Sequence, residues 1–206
     1  MGESKPRIPF LFVGNQPCLD FINTQFVVNG QPVDLLATFS DLVTWLVQVH
    51  LLTEKDAKKI ELQGGRQTMG TQALEQARVF RATLREMIER LIAGRPVPQA
   101  PIETINKMLR YRTGRPQLIR RSGTFVREFQ AESQDVNQLL GLLAEAASDL
   151  LCTCDLSLIK KCQNPACVLF FYDTTKNHAR HWCSMSICGN RSKVAAHYRR
   201  HRGTRR

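Results

Sequence analysis

Four of the seven cysteines in this 206-residue chain fall into two equal pairs. Cys162-Gln-Asn-Pro-Ala-Cys167 and Cys183-Ser-Met-Ser-Ile-Cys188 are each C-x4-C, and 15 residues separate them. No other feature restricts the fold as much. A short turn of this kind brings two sulfurs to one point, and two matched turns bring four. Four thiolates around one point suit a tetrahedral ion, and structural zinc is held in this way. Such a site is closed: no position remains for water, so its role is structural rather than catalytic. Cys162, Cys167, Cys183 and Cys188 are therefore the expected ligands of one structural Zn2+. His178 and His181, inside the intervening loop, compete for one place in that set, and redox pairing of the same sulfurs is a further alternative. A finger of two cysteines and two histidines, built from Cys183, Cys188, His197 and His201, fails because its middle segment is shorter than the usual stretch of about twelve residues. Cys18, Cys152 and Cys154 border apolar segments and read as small buried hydrophobes.

The charge lies where the cysteine pairs lie. The net charge is +11, yet residues 1–159 hold 18 Lys+Arg against 17 Asp+Glu. Residues 160–206 hold 11 Lys+Arg and one acid, Asp173, a surplus of +10. Such asymmetry points to a nucleic-acid or other acidic partner, against the plainer reading of a solubilising tail. With 43% apolar and 23% charged residues the chain has enough material for a core and is not a disordered sequence. No run approaches the roughly 18 apolar residues of a membrane helix. The short apolar run 8–13 follows Lys5 and Arg7, but it contains Pro9 and has no small-x-small cleavage pattern. It is read as part of the fold of a cytoplasmic protein.

Hydrophobic spacing predicts a mainly α fold. From Ser40, Leu42, Val43, Trp45, Leu46 and Val49 share one side of a helix. Thr53-Glu-Lys-Asp56 forms a capping box opening a short helix, followed by the Gly64-Gly65 break. The clearest helix spans 71–93, with Leu74, Ala77, Phe80, Leu84, Met87, Ile88 and Leu91 three and four apart, before Gly94 and Pro96 stop it. Pro101 opens another, with Ile102, Ile105, Met108 and Leu109 on one face and an end near Gly114. Segments 118–121 and 124–129 flank Ser122-Gly123 as a hairpin. A last long helix covers 133–151. Residues 1–30 mix apolar runs with Gly, Pro and Asn and take no assignment. The expected organisation is a helical domain with a small β-hairpin over 1–155, and over 156–206 a small four-cysteine zinc-binding module ending in a basic helix. Arg110, Arg112, Arg115, Arg120, Arg121 and Arg127 cluster around the hairpin, and a solvated face with local ion pairs is favoured there over an anion site.

Within the module, Pro165 and small neighbours permit a tight turn, and the run 168–172 is strand-like and able to pack beside the metal. Gly189 frees the backbone to turn close to sulfur. Asn190 caps a helix over 191–201, with Val194 and Tyr198 inward and Arg191, Lys193, Arg199, Arg200 and Arg202 outward. A basic helix held by a metal site is a common way to reach a nucleic-acid groove. Trp182 either stacks on a base or shields the sulfurs, and the second is expected.

Residues 162–199 resemble the bacterial CGNR zinc-finger family. The carrying residues are Cys162-x4-Cys167, Phe170-x-x-Asp173, Lys176-Asn177, Arg180-His181-Trp182-Cys183-Ser184-Met185, and Cys188-Gly189-Asn190-Arg191 with Lys193. Leu19-Asp20-Phe21-x-Asn23-Thr24, then Asp34-Leu35 and Trp45-Leu46, is similar to the opening signature of that family's partner domain, ABATE. His181 stands where many relatives carry arginine. The resemblance spans nearly the whole chain and implies a stress-related transcription regulator. The function expected is DNA binding, with Arg180, Arg191, Lys193, Arg199, Arg200 and Arg202 on the phosphates. The N-terminal domain would sense a small-molecule effector or form a homodimer. Asp20, Asn23 and Thr24 are the candidate ligand pocket, against a plainer turn-and-cap cluster. RNA or ribosome association through the same module is the alternative. An enzyme with a site near Asp20 is disfavoured, because no nucleophile–base pair, open metal motif or Gly-rich phosphate loop supports it.

Overall fold

Threonine–aspartate pairs open two of the helices. Thr38 accepts from the Asp41 N–H through its hydroxyl at 3.2 Å, while its own N–H donates to the Asp41 carboxylate at 2.7 Å. This reciprocal box starts α2 (Phe39–Gln48), one residue earlier than its hydrophobic spacing suggests. At the head of α3 (Glu54–Gly64) Thr53 caps as expected, its hydroxyl accepting from the Asp56 N–H at 3.1 Å and donating to the Asp56 carboxylate at 2.8 Å. The computed structural model describes residues 8–28, 30–64, 68–132 and 135–194. No described helix is long and apolar enough to cross a membrane.

The remaining elements are α1 (Pro17–Ile22), β1 (Gln25–Val28), β2 (Gln31–Asp34), α4 (Thr68–Ile92), α5 (Gln99–Leu109), β3 (Gly114–Arg121), β4 (Thr124–Ala131), α6 (Gln138–Thr153), β5 (Ile159–Lys161) and β6 (Phe170–Tyr172). Each pair β1–β2, β3–β4 and β5–β6 is an antiparallel two-stranded sheet. The fold is mainly helical with small hairpins, as the spacing predicts. The β3–β4 hairpin closes at Arg121↔Thr124 around Ser122 and Gly123, both at positive φ, the geometry of a two-residue turn that keeps the strand twist. It extends four residues further toward Gly114 than alternation reveals, because Gly114, Arg115, Pro116 and Gln117 carry no apolar side chain to alternate.

Packing gathers the chain into two compact units. One comprises residues 36–83 and 98–149. Its buried side chains include Trp45, Leu46, Ile60, Phe80, Ile105, Leu139 and Leu143, the apolar faces of α2 to α6. The other comprises residues 1–35, 84–97 and 150–206. There α1 packs against β6, and Leu19, Phe21, Ile22, Leu84, Ile88, Phe170 and Phe171 are buried. Residues 16–28, unassigned from spacing, form α1 and β1. A six-residue helix begun by Pro17 at its first turn is too short to show a 3.6 period.

Candidate metal centre and its frame

Cys162, Cys167, Cys183 and Cys188 meet, their sulfurs all within 4.8 Å of one another. Cys167 Sγ and Cys183 Sγ are 3.9 Å apart, far beyond a disulfide bond. A tetrahedral zinc with Zn–S near 2.3 Å would place its sulfurs about 3.8 Å apart. The donor set fits the ion in chemistry as well as in spacing. The hydrogen bond from Cys183 and further sulfur neighbours hold the Cys167 thiol down to about 5. Burial and the charge of Cys167 push Cys188 up to about 11, and the bond to Cys167 followed by burial drives Cys183 upward as well. Sulfurs this crowded cannot all ionise on their own, whereas a divalent cation at their centre stabilises every thiolate. The four cysteines form the site of one structural zinc. Neither histidine joins them: His178 lies with Nδ1 3.2 Å from the Asp173 carbonyl, and His181 tilts beside Trp182.

Short-range chemistry holds the knuckles in place. The Cys183 N–H donates to Cys162 Sγ at 3.3 Å, and the Cys162 N–H donates to the Leu169 carbonyl, locking the first turn onto the start of β6. Asn164 Oδ1 accepts from the Ala166 N–H inside the first pair. In the second pair Ser184 caps a π-helical turn, Met185–Gly189, through its hydroxyl on the Ser186 N–H. The helix continues through 190–194 with Asn190 already in the right-handed helical region, so Ser184, and not Asn190, is the cap. Gly189 sits in ordinary backbone beside the end of the exposed Met185 side chain and the Trp182 ring. A Cβ there would stand 2.6 Å from Met185 Sδ and 3.2 Å from Trp182 Cδ1. Val194, expected inward, is 55% exposed. Tyr198, Arg199, Arg200 and Arg202 lie outside the described residues.

The metal centre shares its apolar surroundings with the N-terminal segment of the same unit. Phe26, Leu169 and Phe171 cluster with the ligand cysteines, and Leu11, Val13, Val33, Leu35 and Trp182 pack against them. Polar ties join the same parts. Asn23, fully buried, donates to the Phe170 carbonyl at 2.8 Å and accepts from the Phe170 N–H at 2.9 Å, supplying β6 with the partner a neighbouring strand would give. Gly14 accepts from the Tyr172 N–H, and Asn15 donates to the Tyr172 carbonyl. Arg85 donates to the carbonyls of Val168, Ile22 and Gln25 while lying over the Phe170 ring.

Three further charged residues organise the loop between the cysteine pairs. Asp173, fully buried, accepts from Lys160 Nζ at 2.7 Å, the Thr175 hydroxyl at 2.6 Å, the Thr175 N–H at 3.0 Å and the Arg180 N–H at 2.9 Å. Burial alone would raise this carboxyl, but these donors hold it well below the usual carboxylate range. Lys160 also donates to the His178 carbonyl. The Arg180 guanidinium donates to the carbonyls of Trp182, Val13 and Cys183 and stacks over Phe171 at 4.2 Å.

Asp20, Asn23 and Thr24 are all buried. Asp20 accepts from the Gly14 N–H at 2.7 Å, and the Thr24 hydroxyl donates to the Phe21 carbonyl at 2.7 Å. Cys18 is buried, which pushes its thiol up to about 12, whereas Cys152, expected inside, is exposed. Arg191 and Lys193 are exposed. Asn15 and Arg85 escape sequence reading. An Arg on the polar stripe of a long helix looks like any solvated charge, and the only signal near Asn15 is the Gly-Asn-Gln-Pro stretch before α1.

Two measurements test this frame. Asn23→Ala leaves the buried N–H and C=O of Phe170 unpaired and is expected to cost the zinc-loaded protein about 3 kcal/mol in urea unfolding; a loss under about 0.5 kcal/mol would remove the clamp from the account. Burial pushes the Asp20 carboxyl up to about 6 against the bonds from Gly14 and Val13 and the charge of Arg180. Its native midpoint thus lies above its unfolded value, and the native state binds more protons between roughly pH 4 and 6. The contribution of Asp20 to stability is therefore present below that window and is lost as pH rises through it. A carbon-detected NMR titration should place its midpoint near pH 6, and a midpoint in the ordinary carboxylate range would contradict the buried setting.

The family described as "Putative stress-induced transcription regulator", the ABATE domain, matches residues 15–153. The CGNR zinc finger matches residues 159–201. No curated protein matches the sequence.

Proposed function

The chain belongs to the ABATE family and carries a CGNR zinc finger, and from that premise we propose that it is a DNA-binding transcription regulator of a bacterial stress response, acting in the cytoplasm. Neither matched family is an enzyme family. The observation that carries the reading is the +10 surplus of residues 160–206, the stretch of sequence that also holds the four clustered cysteines. Bound zinc supplies a fixed, closed centre and no reactive position. The protein's own residues do the rest: the cysteines set the start of the helical segment 190–194, and Arg191 and Lys193 stand exposed on it. Arg191, Lys193, Arg199, Arg200 and Arg202 are the proposed phosphate contacts, with exposed Lys161 and Lys176 extending the surface. Arg180 serves this surface indirectly, because its guanidinium is committed to three carbonyls.

Fluorescence anisotropy of the zinc-loaded protein on random-sequence duplex DNA across a salt series tests the reading. Affinity should fall with salt at a logarithmic slope of about −0.9 per phosphate neutralised. Arg191→Ala and Lys193→Ala should each reduce that slope by about one while leaving the fold intact. A flat salt response would overturn the proposal. Competition between the duplex and a structured RNA decides which nucleic acid is preferred, and RNA winning would move the function to RNA or ribosome association.

A further inference from the structure

A cavity of about 610 Å³ lies beside the β3–β4 hairpin, within the unit formed by residues 36–83 and 98–149. Its apolar wall comes from Leu51, Leu52, Ile60, Leu139 and Leu142. Arg112, in the link between α5 and β3, also lines it. This arginine is seated from three directions. Its Nε donates to Glu145 Oε2 at 2.8 Å, its guanidinium lies 4.0 Å over the Phe129 ring, and its stem crosses α6 at Gly141. A Cβ on Gly141 would stand 2.6 Å from Arg112 Cγ. The side chain is only 15% exposed, yet neither terminal nitrogen has a hydrogen-bond partner among the described residues. A guanidinium so fixed has already lost its rotamer entropy, and its free fork matches a carboxylate with two parallel bonds.

The charge of the cavity narrows the ligand. Lys59 pairs with Asp56, Arg121 with Glu128, and Arg112 with Glu145. Lys55, exposed on the rim, has no partner among the described residues. Lys55, Lys59, Arg112 and Arg121 on the lining against Asp56 and Glu128 leave two positive charges, and Glu145 on Arg112 reduces them to one, which one carboxylate balances. The volume falls in the range of about 300–1,000 Å³ typical of small-molecule sites. We propose that this cavity binds a small organic monocarboxylate, its anionic end on the Arg112 fork and its apolar body against Leu51, Leu52 and Leu142. The site is separate from Asp20, Asn23 and Thr24, and it does not depend on the nucleic-acid reading.

Calorimetry on the full zinc-loaded chain tests it, with octanoate and 1-naphthoate as probes and their neutral amides as controls. At least one carboxylate should bind with single-site stoichiometry and about ten-fold or more tighter than its amide. Arg112→Lys keeps the charge but not the fork and should weaken that binding about ten-fold. Methyl NMR shifts on the wild-type chain should fall on Leu51, Leu52 and Leu142, which keeps the test independent of how the variant folds. Absence of binding by both carboxylates at about 10 mM, equal binding of the amides, or shifts elsewhere would overturn the proposal. None of these readouts involves DNA, so failure here and failure of the regulator reading are separately visible.

Discussion

Cys162→Ser and Cys188→Ser should each unfold more than the segment that carries the cysteines. The four sulfurs share one apolar cluster with Phe26, Leu169 and Phe171, against which Leu11, Val13, Val33 and Leu35 pack. Asn23, Asn15, Gly14 and Arg85 then tie backbone groups of 168–172 to the same N-terminal segment. Structural zinc contributes an apparent 10–16 kcal/mol or so in isolated zinc-finger peptides, as much as the whole net stability of a typical domain, about 5–15 kcal/mol. With a ligand gone, buried sulfurs lose the cation that stabilises them, and residues 8–35 lose the surface they pack on. Hydrogen exchange should therefore show protection lost together in residues 8–35 and 159–194, while residues 36–83 and 98–149 keep theirs. A chelator added to the wild-type chain should reproduce the pattern. Loss confined to 159–194 would mean that the N-terminal segment holds its place unaided. Stoichiometric zinc retained in either variant would show the ligand assignment to be wrong.

What can be read from the residues alone follows from the range over which each interaction acts. The cysteine pairs are legible because both turns are local: four intervening residues fix how near two sulfurs come. Thr53-x-x-Asp56 and Ser122-Gly123 are legible for the same reason, a cap and a turn being written within four residues. The Thr38–Asp41 box carries the same signal but is masked, because the apolar spacing draws the start to Ser40. The frame around the metal is another matter. Asn23 reaches Phe170 across 147 positions, and an Asn-Thr pair after a short apolar run equally suits a turn or a pocket. Arg85 and Arg78 lie on one helix; Arg85 ties the Val168 carbonyl before β6 to those of Ile22 and Gln25, while Arg78 donates to the Leu36 carbonyl. Periodicity assigns both to the polar stripe and cannot say which carbonyls they meet. Gly189 shows the same gap. A glycine beside a ligand suggests a backbone need, whereas here the backbone is ordinary and the neighbours are the side chains of Met185 and Trp182.

Asp173→Asn should destabilise the metal-bearing unit nearly as much as Asp173→Ala, by about 3–5 kcal/mol. The near-equality is the informative part. All four partners of this carboxylate are donors: the Lys160 ammonium, the Thr175 hydroxyl, and the N–H groups of Thr175 and Arg180. An amide fits the same volume but offers one acceptor oxygen and turns an NH2 group toward donors. It satisfies one side of the cluster and opposes the other, and it leaves Lys160 without its counter-charge. Alanine vacates the volume and orphans the same donors. The loss should reach the cysteines, since the loop that Asp173 anchors through Thr175 and Arg180 runs directly into Cys183. Zinc affinity, measured by competition with a chromophoric chelator, should fall in both variants along with the urea midpoint. The pH response follows from the same donors. Asp173 is held ionised well below its unfolded midpoint, so its stabilisation is full above the unfolded midpoint, about pH 4, and is lost progressively as pH falls from there toward its much lower native midpoint. A wild-type Asp173 that titrates in the ordinary carboxylate range, or an Asn variant as stable as wild type, would show that the four donors do not depend on the charge.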